Sequence, residues 1–65
     1  MIIVNGQEVL FSKPVSLLDW LTENGTEPEL TAVELNGTIL MRDVYAQTIL
    51  KDDDKLEILR FVGGG

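Results

Sequence analysis

The residues of this chain with the most chemical potential stand together at one end of it: Arg60-Phe61-Val62-Gly63-Gly64-Gly65. A strand-like apolar run passes there into three glycines, the last of which offers an α-carboxylate. Glycine has no Cβ, so such a segment can lie flat in a slot too narrow for any side chain. Ordering it in a partner costs roughly 1–2 kcal/mol per residue, which the remaining surface must help to offset. The usual reactive groups are missing elsewhere. With no Cys and no His, the chain has no thiol nucleophile, no thiolate metal ligand and none of the commonest general base. Ser12, Ser16 and Thr31 have no His to activate them, and Lys51 and Lys55 lack the apolar context that would strongly lower an amine pKa. Asp52-Asp53-Asp54 lacks the spacing and distant carboxylate of a calcium loop and reads as a solvated turn. Glu8, Glu34 and Glu57 read as the polar side of strands. A hydrolase is therefore not expected.

Sixty-five residues make one small domain with a near-minimal core and no room for a large active-site cavity. The division expected is a folded body over 1–62 and a flexible Gly-rich tail over 63–65. Eleven acidic against five basic residues give a net charge of −6, a surface that phosphate backbones repel, so nucleic acid is not an expected partner. That charge suits either solubility or steering toward a basic partner. No stretch approaches the roughly 20 apolar residues of a membrane span and no secretory pattern opens the chain. A cytoplasmic protein, monomeric when alone and with no membrane partner, is expected.

The body must position that end. Met1 to Val4 favours strand, Asn5-Gly6 is a two-residue hairpin signal, and Val9-Leu10-Phe11 resumes the strand. Pro14 closes it. Ser16 three residues before Asp19 resembles a capping box, and Leu17, Leu18, Trp20 and Leu21 fall on one side of a helix that Gly25 ends. Trp20 is expected at the core or its edge. Thr26 to Leu30 reads as a loop. Thr31 to Leu35 alternates, with Val33 and Leu35 on one face and Ala32 and Glu34 on the other. Asn36-Gly37 turns the chain. Ile39-Leu40-Met41 reads as an edge strand or as the entry to a helical turn at Arg42 to Tyr45. Thr48-Ile49-Leu50 is a brief strand, and Leu56 to Val62 is the longest one. Asn24-Gly25-Thr26 and Asn36-Gly37-Thr38 match a glycosylation pattern but read as turn chemistry. One helix with several strands predicts an α+β fold in which a mixed sheet wraps the helix and keeps one face open to water.

If Leu56 and Ile58 face the core beside Val33 and Leu35, period-two geometry sends Leu59 and Phe61 outward, beside Glu57. Large apolar residues there invite a partner. The reverse register, or a bend near Arg60, would place Phe61 in the core.

The order of elements, the strand-turn Val33-Glu34-Leu35-Asn36-Gly37, the turn-strand Asp52-Asp53-Asp54-Lys55-Leu56-Glu57-Ile58 and above all Arg60-Phe61-Val62-Gly63-Gly64-Gly65 resemble the ThiS family. These are the ubiquitin-like sulfur carriers of bacterial thiamine biosynthesis. The resemblance runs from Met1 to Gly65. It implies a β-grasp fold, with a four- to five-stranded mixed sheet wrapped around one main helix, and a carrier that binds no cofactor. It implies that the Gly65 carboxylate is adenylylated by an ATP-dependent ThiF-like adenylyltransferase and becomes a thiocarboxylate. Sulfur would come from a cysteine desulfurase and pass to thiazole synthase, the ThiG-like acceptor. Gly63 and Gly64 would thread the partner's channel, and Leu59, Phe61 and Val62 would dock at its mouth. An α-carboxyl with a pKa of about 3.3–3.7 is an unreactive anion at neutral pH, which is why activation is needed. Met41 stands where relatives often have Pro, and Asp53 where many have Gly. The small subunit of molybdopterin synthase resembles the chain in fold and Gly-Gly end; carriers for tRNA thiolation or cysteine synthesis stay open, as does a ubiquitin-like protein modifier, since an adenylated Gly end can be captured by an amine.

Overall fold

Two Asn-Gly dipeptides fold back two hairpins of the same design. In the computed structural model, which describes residues 1–61, β1 (Ile2–Val4) pairs antiparallel with β2 (Gln7–Val9), Val4 opposite Gln7. Asn5 and Gly6 alone form the loop. Their φ angles of 51° and 83° are the two positive values that a type I′ turn requires, and these two residue types accept them most readily. β4 (Thr31–Leu35) and β5 (Thr38–Leu40) repeat the design across Asn36 and Gly37, at 50° and 89°. β2 stops at Val9 and does not continue through Leu10 and Phe11 as expected, because its partner β1 begins at Ile2, opposite Val9. Leu10 is left 86% exposed.

Between the hairpins runs β7 (Lys55–Arg60), parallel to β1 and antiparallel to β4. The sheet order is β2-β1-β7-β4-β5, so the strand nearest the glycines is the central one. Ile39 and Leu40 lie in edge strand β5, while Met41 leads into a 3₁₀ turn over Arg42–Gln47. Each of the two readings of that segment thus holds for part of it. A second, two-stranded sheet joins β3 (Val15–Ser16) to β6 (Ile49–Leu50). β3 went unread because two residues are too few to show an alternation. The expected loop at Thr26 to Leu30 contains a 3₁₀ turn, Pro28–Leu30. Pro opens it at the position where a missing N–H costs nothing.

The α-helix among the described residues, α1 (Leu17–Glu23), packs Leu17 and Leu21 against the core face of the sheet. Ser16 caps it, its hydroxyl accepting the Asp19 N–H at 3.0 Å, which satisfies one of the free donors of a helix start. At the other end the Gly25 N–H donates to Thr22 O and the Thr26 N–H to Leu21 O, at 3.1 and 2.9 Å. With Gly25 at φ 74°, this is a Schellman stop. Leu17 and Leu21 are fully buried and meet Ile2, Val33 and Leu56 from the sheet, Leu50 from β6 and Tyr45 from the long 3₁₀ turn. Burying each of the large aliphatic side chains is worth about 1.5–3 kcal/mol. Trp20 and Leu18 pack half-buried against this cluster, Trp20 at the core edge as expected.

The acidic turn is not solvated throughout. Asp52 and Asp53 are exposed, but Asp54 is 5% exposed. Its carboxylate accepts the Lys51 N–H at 2.9 Å and the Asn36 Nδ2–H at 3.0 Å. These donors replace the water that a buried carboxylate gives up. Asp53 takes φ 73°, the left-handed geometry that Gly adopts more easily than Asp, and its N–H donates to Met1 O at 2.8 Å. The Met1 ammonium pairs with Asp52.

Candidate functional site: the end of β7 and the outer face of the sheet

Alternation along β7 settles the register that the sequence left open. Leu56 is buried and Ile58 half-buried on the helix side, while Glu57, Leu59 and Phe61 are exposed. Leu59 is 63% and Phe61 52% exposed, so Phe61 is surface and not core. Leu59 stands opposite Ala32, Glu57 opposite Glu34, and Glu34 in turn opposite Ile39 of the edge strand. The outer face is therefore apolar at Leu59, Ala32 and Ile39, with Ile39 71% exposed. Two carboxylates sit directly across from each other within it. Like charges in that arrangement oppose sheet pairing, and the pair attracts any cation brought to it. A shallow hollow of about 210 Å³ lies among Ala32, Glu34, Ile39, Glu57 and Leu59. A larger one, about 660 Å³, is lined by Leu18, Pro28, Glu29, Met41, Arg42, Asp43 and Tyr45, with no residue of β7.

Of the sequence-predicted site residues, Leu59 and Phe61 are placed by the structure on this face. Val62, Gly63, Gly64 and Gly65, and with them the boundary between body and tail, lie outside the described residues. Among the described residues no group of acidic side chains is arranged to hold a metal ion, and no helix is long and apolar enough to cross a membrane.

Two residues that the sequence marked only as turn formers also serve β7. The Asn5 backbone N–H donates to Leu56 O at 2.8 Å, as a parallel ladder requires. The left-handed turn then swings the Asn5 carbonyl away, and the side chain takes over. Asn5 Oδ1 accepts the Ile58 N–H at 2.7 Å, and Nδ2 donates to Ile58 O at 3.3 Å. Asn36 does the same on the other edge, its N–H donating to Lys55 O at 2.8 Å and its Oδ1 accepting the Lys55 N–H at 2.9 Å. Because β1 is parallel and β4 antiparallel to β7, the Asn36 side chain grips its first residue, Lys55, and the Asn5 side chain its fourth, Ile58. The signal available was the choice of Asn, with its amide, at the first position of both turns.

Tyr45 is the one titratable side chain among the described residues whose pKa moves clearly. Burial raises it, opposed in smaller measure by the main chain of Val33 and the Arg42 guanidinium. Its hydroxyl donates a long bond to Thr31 O, 3.4 Å, which serves the core and not the outer face.

The sequence pattern of the ThiS family matches residues 1–65. The chain belongs to the ThiS family. Its members are the sulfur carriers of thiamine biosynthesis, and the fold is their ubiquitin-like β-grasp. The chain is 35% identical over 66 residues to the sulfur carrier protein ThiS of Bacillus subtilis, covering the whole of both. The crystal structure of the ThiS thiamine biosynthesis protein from Geobacter metallireducens superposes with a TM-score of 0.79 at 34% identity, over 98% of this chain and 97% of that one. A thiazole synthase of Paramagnetospirillum magneticum is 41% identical over 64 residues, and the chain spans only 20% of that protein's length. This ThiS family member thus resembles both free carriers and a segment of a longer protein.

Proposed function

We propose that the chain carries sulfur as a thiocarboxylate on Gly65 and gives it up to thiazole synthase. The Gly65 carboxylate attacks the α-phosphorus of ATP on a ThiF-like adenylyltransferase, and pyrophosphate leaves. Persulfide sulfur drawn from a cysteine desulfurase attacks the Gly65 carbonyl carbon, the C–O bond to the adenylate breaks and AMP leaves; a thiol of the partner system then reduces the resulting acyl disulfide, releasing the thiocarboxylate and forming a disulfide. The carrier itself binds no cofactor; ATP belongs to the activating partner. Gly63 and Gly64 thread the partner's channel, while Leu59, Phe61 and Val62 dock at its mouth. The observation that carries this reading is the exposed apolar pair Leu59 and Phe61 at the end of the central strand, with Val62 alone between them and Gly63-Gly64-Gly65 in a ThiS family chain. The similarity to a segment of a thiazole synthase supports that enzyme as acceptor, since a carrier acting on one acceptor can be joined to it in one polypeptide. Adenylylation fits the chemistry of an α-carboxylate, which is a poor electrophile until it bears a leaving group.

Intact-mass measurement tests the reading. Coexpressed with an activating enzyme and a sulfur donor, the chain gains the mass difference between one sulfur and one oxygen atom, confined to its C-terminal peptide. An unchanged mass under conditions that charge a known carrier overturns it.

A further inference from the structure

We infer that Asn5 is a positioning residue for the chemistry proposed above, on which this inference rests: its side-chain amide fixes the direction in which β7 leaves the sheet. β7 is held unequally along its two edges. On the β4 side, support continues to the end, with Thr31 opposite Arg60 and the Phe61 N–H donating to Leu30 O at 2.7 Å. On the β1 side the strand partner is exhausted at Val4, opposite Leu56. Beyond it the Asn5 side chain alone continues the ladder among the described residues, through both the N–H and the carbonyl of Ile58. Without that amide, the last three residues of the strand would hang from one edge and could swing about it. A displacement of about 1 Å at a reacting group can cost on the order of a hundredfold in rate.

The molecule supplies its own control. Asn36 makes the equivalent clasp at Lys55, the start of β7 and far from its exit, and also donates to the buried Asp54. Removing it should cost as much stability or more, without freeing the strand end. Asn5→Gly and Asn36→Gly both keep the positive φ that each turn needs. The test measures amide exchange at Ile58 and, with a partner adenylyltransferase, ATP and a sulfur donor, the kcat and KM of charging for each variant. Asn5→Gly is expected to speed Ile58 exchange and to lower kcat about tenfold, with KM within about twofold of the parent. Asn36→Gly is expected to keep the parent kcat despite its stability loss. Asn5→Asp, which keeps an acceptor for the Ile58 N–H, is expected to recover part of the kcat. If Asn5→Gly does not fold, Asn5→Asp carries the comparison: a reduced kcat supports the inference and the parent value overturns it. Equal charging by Asn5→Gly and the parent overturns it too, as does a fall in kcat that merely follows stability in both glycine variants. Failure of the parent to acquire sulfur at all counts instead against the function proposed above.

Discussion

Phe61 and Tyr45 show what exposure means for a single side chain. Phe61 is half-exposed on the outer face, so replacing it has little to remove from the core. Phe61→Asp is expected to leave the unfolding free energy within about 0.5 kcal/mol of the parent by urea titration, while weakening capture by an activating enzyme. Unfolding of that variant would return Phe61 to the core. Tyr45 is 1% exposed and behaves oppositely. Burial raises its pKa, so the folded state prefers the protonated phenol more strongly than the unfolded chain does. Its contribution is complete below the unfolded pKa of about 10 and is lost as pH rises through that value toward the raised folded one. Stability should therefore fall more steeply above about pH 10 in the parent than in Tyr45→Phe. The difference between the two curves isolates this group from the lysines. Below that range Tyr45→Phe should cost at most about 1 kcal/mol, since the hydrogen bond it loses is long.

Among the elements, the turn before β7 holds a strain that one substitution can relieve. Asp53 sits at φ 73°, where a Cβ crowds the backbone and Gly does not. Its structural contact is a main-chain N–H to Met1 O, which survives loss of the side chain. Asp53→Gly is expected to raise stability by about 0.5–1 kcal/mol in urea or thermal unfolding, net of the added freedom of the unfolded chain. Such turns were legible beforehand because Asn-Gly and a displaced Gly are local chemistry. The helix was legible too, since Ser16, the Leu17-Leu18-Trp20-Leu21 face and Gly25 all agree on its bounds. The alternation of β7 was readable, but not which of its faces would be covered, and only the pairing with Val33 and Leu35 decides that. The small β3–β6 sheet and the burial of Asp54 arise from contacts between distant parts of the chain. Ser16 meets Ile49 and Asn36 meets Asp54, and no local pattern announces either. The double use of Asn5 was hidden for the same reason: its turn is written in two residues, its clasp in the arrival of β7.

The charge of −6 on 65 residues acts over the whole molecule. The Glu34 and Glu57 carboxylates add to it within the face expected to dock. A basic partner surface would be drawn to that field, and the attraction would be screened beyond a Debye length of about 10 Å at 0.1 M salt. Raising salt from about 0.05 to 0.5 M should slow association with an activating enzyme by about tenfold or more and change dissociation much less, as stopped-flow binding would record. An unchanged association rate would leave the charge with no role but solubility.

The central place of β7 also determines how the protein answers a pull. A pull applied at Phe61 along the axis of this strand would meet bonds to β1 and β4 that lie across that axis on both sides. They must give way together, in shear, where an edge strand would peel off one bond at a time. A carrier working as proposed above would therefore come away whole when tugged free of its partner many times over, its mechanical resistance greatest along the direction in which that work would load it.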